Sequence, residues 1–157
     1  METFYYDNSD DEDNSQEIID KLLKTLENDK YEDVMELTFK KIKTIKNDIL
    51  QSLELTRNEL VDFKNKLENY RYVDEVNEFK LGNYIRSIDL KNPDNIKLSR
   101  GGILIDIEAI NSKLMIKLKN YRNSIFRLKF EEHLFFQKLN QQEETLLTVL
   151  NYLEKNS

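Results

Sequence analysis

The chain has no cysteine, no tryptophan, one histidine, one proline and three glycines in 157 residues. Without cysteine it can form no disulfide, no zinc–thiolate site and no thiol nucleophile, so the disulfide-built folds of small secreted proteins are excluded. No apolar run approaches the roughly 20 residues that a membrane-spanning helix needs. Residues 1–7 also lack the basic and apolar parts of a signal peptide. We therefore expect a soluble, intracellular protein that does not contact a membrane.

Charge is distributed unevenly along the chain, whose formal net charge is −6. Residues 1–20 contain eight acidic residues and no basic one, whereas residues 80–129 contain eleven basic and four acidic residues. Residues 1–14 have too little apolar surface to offset the entropy of ordering them, so we expect a disordered acidic tail. Opposite charges of this size suggest that the tail docks on the basic segment or competes there with an outside polyanion.

A seam of apolar residues recurs at helical spacing from Met35 to Tyr70. It advances in ten steps over 35 residues, and the mean step of 3.5 is the period of a coiled coil. Neither glycine nor proline interrupts residues 29–70, so we expect one long helix there, preceded by a short helix over about 15–28. The seam residues predicted to carry oligomerisation are Ile42, Ile45, Ile49, Leu53, Leu60, Phe63 and Leu67.

The length of this predicted helix bears on assembly. A helix of about 40 residues is about 60 Å long, more than two short terminal helices can cover unless they stack in line. The seam therefore predicts self-association, as a dimer, or contact with a partner helix. The alternative is that the seam packs inside the monomer, against residues 18–26 and 146–153.

After about Val73 the pattern changes to alternation with β-branched residues, which is typical of strands. Turns are expected at Asn92-Pro93-Asp94, at Gly101-Gly102 and at Asn120–Asn123, and a last helix is expected over 141–155. The predicted strands are Val76–Lys80, Asn83–Leu90, Gly102–Ile110, Lys113–Lys119, Ser124–Phe130 and His133–Leu139.

These elements together predict an α+β fold class. A long N-terminal, coiled-coil-like helical segment is followed by a small antiparallel β meander or barrel and a C-terminal helix. The corresponding regions are the acidic tail over 1–14, a helical region over 15–72, and the β module with its C-terminal helix over 73–157.

Three stretches of the second half carry a resemblance: Leu81–Leu90, Gly101–Ile107 and Leu134–Glu144. Their turn glycines, strand patterns and helix cap resemble uncharacterised proteins of large DNA viruses of the mimivirus kind, over about residues 80–155. The composition, rich in asparagine, lysine and isoleucine, points the same way. The resemblance implies a location in the host cytoplasm or the virion, and it carries over no activity and no functional residue.

No combination of residues predicts catalysis, a metal site or a bound cofactor, so we expect a protein that is not an enzyme. His133 stands beside two glutamates, but no second histidine or cysteine could complete a metal site, and a structural role is expected. Asp106 and Glu108 share a strand face. We expect neighbouring lysine and arginine to balance them, in preference to a carboxylate cluster with Asp89. Gly101-Gly102 lacks the Lys-Ser/Thr of a phosphate-binding loop.

The expected function is that of a structural or interaction protein, which self-associates through its long helix and presents the β module to a partner protein. The alternative is a nucleic-acid-binding accessory factor that uses the basic strands and is inhibited by its own acidic tail. Basic side chains interleaved with Tyr121 and Phe126 can follow a phosphate backbone while a ring stacks, although strands also carry lysine simply to stay soluble. The candidate nucleic-acid residues are Lys113, Lys117, Lys119, Arg122, Arg127 and Lys129.

Overall fold

The computed structural model describes Glu17 and residues 38–155. Two helices precede a β-rich region, and a third helix follows it. Lys40–Asn140 forms one compact unit, and the third helix belongs to a second unit. The elements are α1 (Phe39–Gln51), α2 (Arg57–Lys66), β1 (Tyr70–Val73), β2 (Tyr84–Asp89), β3 (Gly102–Ile110), β4 (Lys113–Lys119), β5 (Ile125–Lys129), β6 (His133–Lys138) and α3 (Gln141–Lys155), with short 3-10 turns at Val76–Glu78 and Phe130–Glu132.

The predicted single helix over residues 29–70 is wrong, because α1 ends at Gln51 and the chain turns through residues 52–55. Thr56 then caps α2. Its Oγ1 accepts a hydrogen bond from the Glu59 amide at 3.2 Å and donates one to the Glu59 carboxylate at 2.9 Å. The Thr56 side chain thereby satisfies the Glu59 amide, one of the free amides of a new helix, and so favours a second start over continuation. The seam with the coiled-coil period is therefore divided between two successive helices.

The seam lies largely inside the unit that contains it. Phe63 and Leu67 share a core cluster with Leu50 of α1 and with residues of β1, β2 and β6. The seven predicted oligomerisation residues divide into the buried Ile42, Phe63 and Leu67, the partly buried Ile49, Leu53 and Leu60, and the exposed Ile45. The basis of the expected dimer, a long helix with an uncovered seam, is therefore absent from residues 38–70.

Lys46 of α1 closes the end of α2. Its Nζ donates hydrogen bonds to the carbonyl oxygens of Leu67 and Glu68, at 2.6 and 3.2 Å. The last carbonyls of a helix have no partner inside the helix, and a cation near them is favourable. Burial of the side chain lowers the pKa of Lys46 to about 8. This contact joins α1 to α2 across the turn between them.

The predictions for the two ends of the chain have different outcomes. The expected tail over residues 1–14 and the expected short helix over about 15–28 lie outside the described residues, apart from the single helical position Glu17. The helix predicted over 141–155 is confirmed as α3, in which Leu146, Leu147 and Val149 are buried.

The six strands form one antiparallel sheet in the order β1-β6-β2-β3-β4-β5. Five of the six predicted strands are confirmed to within a residue or two as β2 to β6. The sixth, Val76–Lys80, is wrong because Val76–Glu78 forms a 3-10 turn, and β1 lies where the long helix was expected to end. A meander describes β2 to β5 only, since β6 returns to pair between β1 and β2.

Strand β6 contributes to a core on each face of the sheet, because successive side chains of a strand point to opposite faces. Leu134 and Phe136 lie in the core that α1 and α2 cover. Phe135 lies in the other core, where it meets Phe79 edge-on at a centroid distance of 5.5 Å. The second core takes its remaining residues from β1 to β4.

The sheet narrows between β2 and β3, which pair only at Tyr84 with Ile103 and at Ile85 with Gly102. Further along β2, Ile88 forms a bridge with Leu98 of the loop that precedes β3. The turn into β3 is made at Gly101, whose φ is +78° and whose added Cβ would lie 1.9 Å from the Ile85 carbonyl oxygen. The expected bend at Gly101-Gly102 is therefore confirmed.

Gly101→Ala should destabilise the protein far more than Gly82→Ala. Both glycines have positive φ, at +78° and +88°, but a Cβ at Gly82 would meet nothing within 4 Å. Gly82→Ala should therefore cost only the left-handed backbone strain, about 1–2 kcal/mol. Gly101→Ala adds a clash with backbone and should cost at least about 3 kcal/mol. Urea unfolding of both variants measures the difference, and equal losses would contradict the close approach at Gly101.

Candidate functional site

The basic candidates of β4 and β5 lie on one face of the sheet, as their alternation predicted. Directly opposite residues of antiparallel strands share a face, and Lys117 lies opposite Arg127 while Lys119 lies between Ile103 and Ile125. We call this surface the basic face. Its residues are Ile103, Asp106, Glu108 and Ile110 of β3, Lys113, Met115, Lys117 and Lys119 of β4, and Ile125, Arg127 and Lys129 of β5.

The basic face continues the sheet face on which the helices pack. Tyr84 of β2 packs against the helix-covered core and lies directly opposite Ile103 of the basic face. That core takes its strand residues from β1, β2 and β6. One half of the sheet face is therefore covered by α1 and α2, and the other half, on β3 to β5, presents the basic residues.

Ion pairs neutralise the middle of the basic face. Glu108 lies 3.3 Å from Lys117 Nζ and 3.2 Å from Arg127 Nε. The hydrogen bonds from Arg127 and Lys117 hold the pKa of the Glu108 carboxyl below its ordinary value. Asp106 accepts a hydrogen bond from the Ile107 amide at 2.9 Å. The expectation that lysine and arginine balance these carboxylates is confirmed at Glu108.

The end of the face at the β4–β5 hairpin is arranged differently. Asn120 Oδ1 accepts hydrogen bonds from the amides of Arg122 and Ser124, at 2.9 and 3.0 Å, which confirms the predicted hairpin loop. The loop displays Tyr121, a residue that is 62% exposed. The guanidinium carbons of Arg100 and Arg122 lie 5.8 and 5.4 Å from the centre of its ring.

The cations at this end are available to a ligand. Among residues 38–155, no carboxylate lies within ion-pair distance of Arg100, Lys119 or Arg122. The apolar side chains beside Lys119 are exposed as well, Ile103 by 44% and Ile125 by 52%. The basic face itself carries five basic and two acidic side chains, so positive charge is in excess. Arg100 and Arg122 add two further cations beside its Tyr121 end.

The other candidates do not converge on a site. His133 Nδ1 lies 2.9 Å from the Lys129 carbonyl oxygen, and its side chain is 6% exposed at the start of β6, which fits the expected structural role. Asp89 Oδ2 lies 4.0 Å from His133 Nε2, whereas Glu108 pairs with Lys117 on the basic face. In the described part of the chain, no three potential metal ligands of the His, Cys, Asp or Glu type come together.

A buried polar cluster was not foreseen from the sequence. Arg71 of β1, 2% exposed, donates to the Glu78 carboxylate at 3.0 Å and to the Glu78 carbonyl at 3.3 Å. Gln137 of β6 donates to the same carbonyl at 3.1 Å and accepts from the Lys80 amide at 2.8 Å. The cluster fastens the 3-10 turn onto β1 and β6, so its role is structural.

Arg100 was also missed, because nothing local in the sequence links it to Tyr121.

Burial and a hydrogen bond with the Asp74 carboxyl raise the pKa of Glu78 to about 7, although the Arg71 guanidinium acts in the opposite direction. A carboxyl in this state keeps its proton in the folded protein at pH values where the unfolded chain has lost it. The charge on this cluster therefore changes near neutral pH.

Comparison with known proteins finds a relative that matches part of the chain. The chain is 35% identical over 80 residues to the uncharacterized protein L202 of Acanthamoeba polyphaga mimivirus, which confirms the resemblance to proteins of large DNA viruses. The match covers half of each chain. No family model and no solved structure matches. In the parts that the structure describes, no helix combines the length and the apolar character that crossing a bilayer requires.

Replacing Glu78 with Gln should remove a pH dependence of stability. Because the folded state binds the Glu78 proton more tightly than the unfolded chain, the free energy of unfolding should fall as pH rises from about 4.5 to about 7. Glu78→Gln imitates the protonated carboxyl and should lack this fall. Denaturant unfolding across this pH range measures it, with the exposed Glu54→Gln as the matched control. Parallel pH profiles of wild type and Glu78→Gln would contradict the assignment.

Proposed function

We propose that this protein is a non-catalytic binding module that holds single-stranded nucleic acid on the basic face. The observation that carries the proposal is the placement of Arg100 and Arg122 near the exposed Tyr121, two residues after Lys119 at the end of β4. None of these three cations has a carboxylate partner in the described chain. Positive side chains that follow a strand attract a phosphate backbone independently of its sequence.

The shape of the surface favours a single strand over a duplex. The cations lie along one strand, and Lys113 and Lys119 are separated by six residues, about 20 Å at the rise of an extended chain. This length suits a few nucleotides of extended backbone. An exposed aromatic ring at the end of such a track can stack an unpaired base, which a duplex does not offer.

The acidic residues of the face limit its affinity. Lys117 and Arg127 are engaged by Glu108, so a phosphate would have to compete for them, whereas Lys119 faces no such competitor in residues 38–155. We therefore propose that binding depends most on the Tyr121 end. The proposed inhibition by residues 1–14 concerns a segment outside the described residues.

A second candidate function is contact with an acidic protein partner through the same face. The observation that favours it is the exposure of Ile103, Ile110 and Ile125 among the basic side chains. Protein interfaces combine an apolar core with a polar rim. Such a partner would bury these isoleucines, whereas nucleic-acid binding would depend chiefly on the cations.

Lys119→Ala should weaken binding of a single-stranded oligonucleotide and make it less sensitive to salt. Each phosphate contact on a single strand contributes about 0.7 to the slope of log affinity against log salt. The slope should therefore fall by about 0.7 in Lys119→Ala and by about twice that in the double variant with Arg122→Ala. Fluorescence anisotropy with labelled DNA and RNA strands measures both quantities.

The control for this experiment is Lys43→Ala, which removes the same charge from an exposed position on α1. It should leave the salt slope unchanged. If the wild-type protein binds neither DNA nor RNA strands at low salt, the proposed function is wrong.

Glu108→Gln should have the opposite effect and strengthen binding. The change removes a negative charge and releases Lys117 and Arg127, which the carboxylate now holds at 3.3 and 3.2 Å. The salt slope should steepen by up to about 1.4, the value for two additional phosphate contacts. The same anisotropy titration measures the effect. An affinity unchanged or weakened by Glu108→Gln would show that the middle of the basic face does not contact the strand.

A further inference from the structure

Tyr121 is presented to solvent by a hairpin that fixes its position. The Asn120 amide donates to the Ser124 carbonyl at 2.9 Å, and Asn123 adopts a left-handed conformation with φ of 62°. A tyrosine residue that is 62% exposed gives up much of the apolar burial from which aromatic side chains stabilise a fold. The ring is therefore placed where a ligand can reach it.

The two arginines near the ring give this surface the chemistry to bind an anionic, planar ligand. Their guanidinium carbons lie 5.8 Å (Arg100) and 5.4 Å (Arg122) from the ring centre, within the range of cation–π attraction. At these distances neither guanidinium is stacked in close contact with the ring. Arg100 Nη1 also lies 3.4 Å from the Tyr121 hydroxyl oxygen. Guanidinium groups bind phosphate oxygens in a bidentate manner, so both can bind phosphates on either side of a base.

We infer that Tyr121 is a base-stacking platform: one unpaired base lies on its ring, while Arg100 and Arg122 bind the phosphates that flank that base. This inference rests on the proposed function and specifies the part of the strand that is recognised. Lys119 lies at the end of β4, just before the hairpin. The bound nucleic-acid strand would run from the Tyr121 ring towards Lys119 and along the basic face.

The inference separates two contributions to affinity that the proposed function leaves combined. Phosphate contacts depend on salt and are indifferent to the presence of bases. Stacking requires a base and contributes little to the salt dependence, and loss of one aromatic platform weakens binding about fivefold to hundredfold. Variants of Tyr121 should therefore change affinity without changing the salt slope.

The test compares an ordinary oligonucleotide with one of the same length and charge that carries abasic sites throughout. Anisotropy titrations of the full chain use wild type, Tyr121→Ala and Tyr121→Phe. Tyr121→Ala should weaken binding of the ordinary strand about fivefold to hundredfold and leave binding of the abasic strand unchanged. Tyr121→Phe should retain the wild-type affinity, because stacking needs the ring and not the hydroxyl. Tyr152→Ala, at an equally exposed tyrosine of α3, is the matched control and should have no effect.

The failure of this inference differs from the failure of the proposed function. If the wild type binds strands and Lys119→Ala lowers the salt slope, but Tyr121→Ala binds the ordinary strand as tightly as wild type, the platform is refuted and the basic face stands. Equal loss of the ordinary and the abasic strand in Tyr121→Ala would also refute stacking. If the wild-type protein binds no oligonucleotide at low salt, both the proposed function and the base-stacking inference are wrong. Equal melting temperatures of the variants would confirm that they are folded.

Discussion

The burial of strand β6 on both of its faces is the constraint on which the rest of the unit depends. Leu134 and Phe136 complete the core under α1 and α2. Phe135 and Gln137, which alternate with them along the strand, are buried on the opposite face of the sheet. A strand with alternate side chains in two cores cannot shift its register by one residue without exchanging every contact. Strand β6 therefore fixes β1 and β2 beside it, and through them the position of both helices.

This arrangement decides which part of the sheet remains accessible. The helices cover the face over β1, β6 and β2, and the short pairing of β2 with β3 begins the half that carries the basic face. Gly101 allows the turn from β2 into β3, because its backbone approaches the Ile85 carbonyl more closely than any side chain would permit. The basic side chains lie on the same sheet face as the helix-covered core. The helices α1 and α2 cover the core residues, whereas they do not contribute to the half that carries the basic side chains.

Glu108 pairs with two of the cations of the basic face. Lys117 and Arg127 are paired with that carboxylate, whereas the cations around Tyr121 have no such partner in the described chain. A uniformly balanced surface would serve solubility alone. The concentration of unpaired charge beside an exposed ring distinguishes one end of the face, and our proposals concern that end.

Strands β2 to β5 and helix α3 could be predicted closely, because their information is local. Alternation marks the strands, Asn120 and Gly101-Gly102 mark turns, and each turn residue acts within a few positions. The break at residues 52–55 was missed because a period of 3.5 fits one helix or two in succession, and the N-cap at Thr56 was the only local sign. Strand β1 has four residues and is stabilised by pairing with β6, more than 60 residues away in sequence.

The sequence by itself determined the alternating strands, the face to which the lysines of β4 belong, and the hairpin that carries Tyr121, since all of these follow from neighbours along the chain. Only the tertiary structure decided that most of the described apolar seam packs in a core shared with the sheet of its own chain. It also placed Arg100 beside Tyr121 and Glu108 between two cations. In the buried polar cluster it brought both Arg71 and Gln137 to Glu78 of the 3-10 turn. The physical reason is that cross-strand pairing and burial join residues far apart in sequence, and no periodicity records which partners they will be.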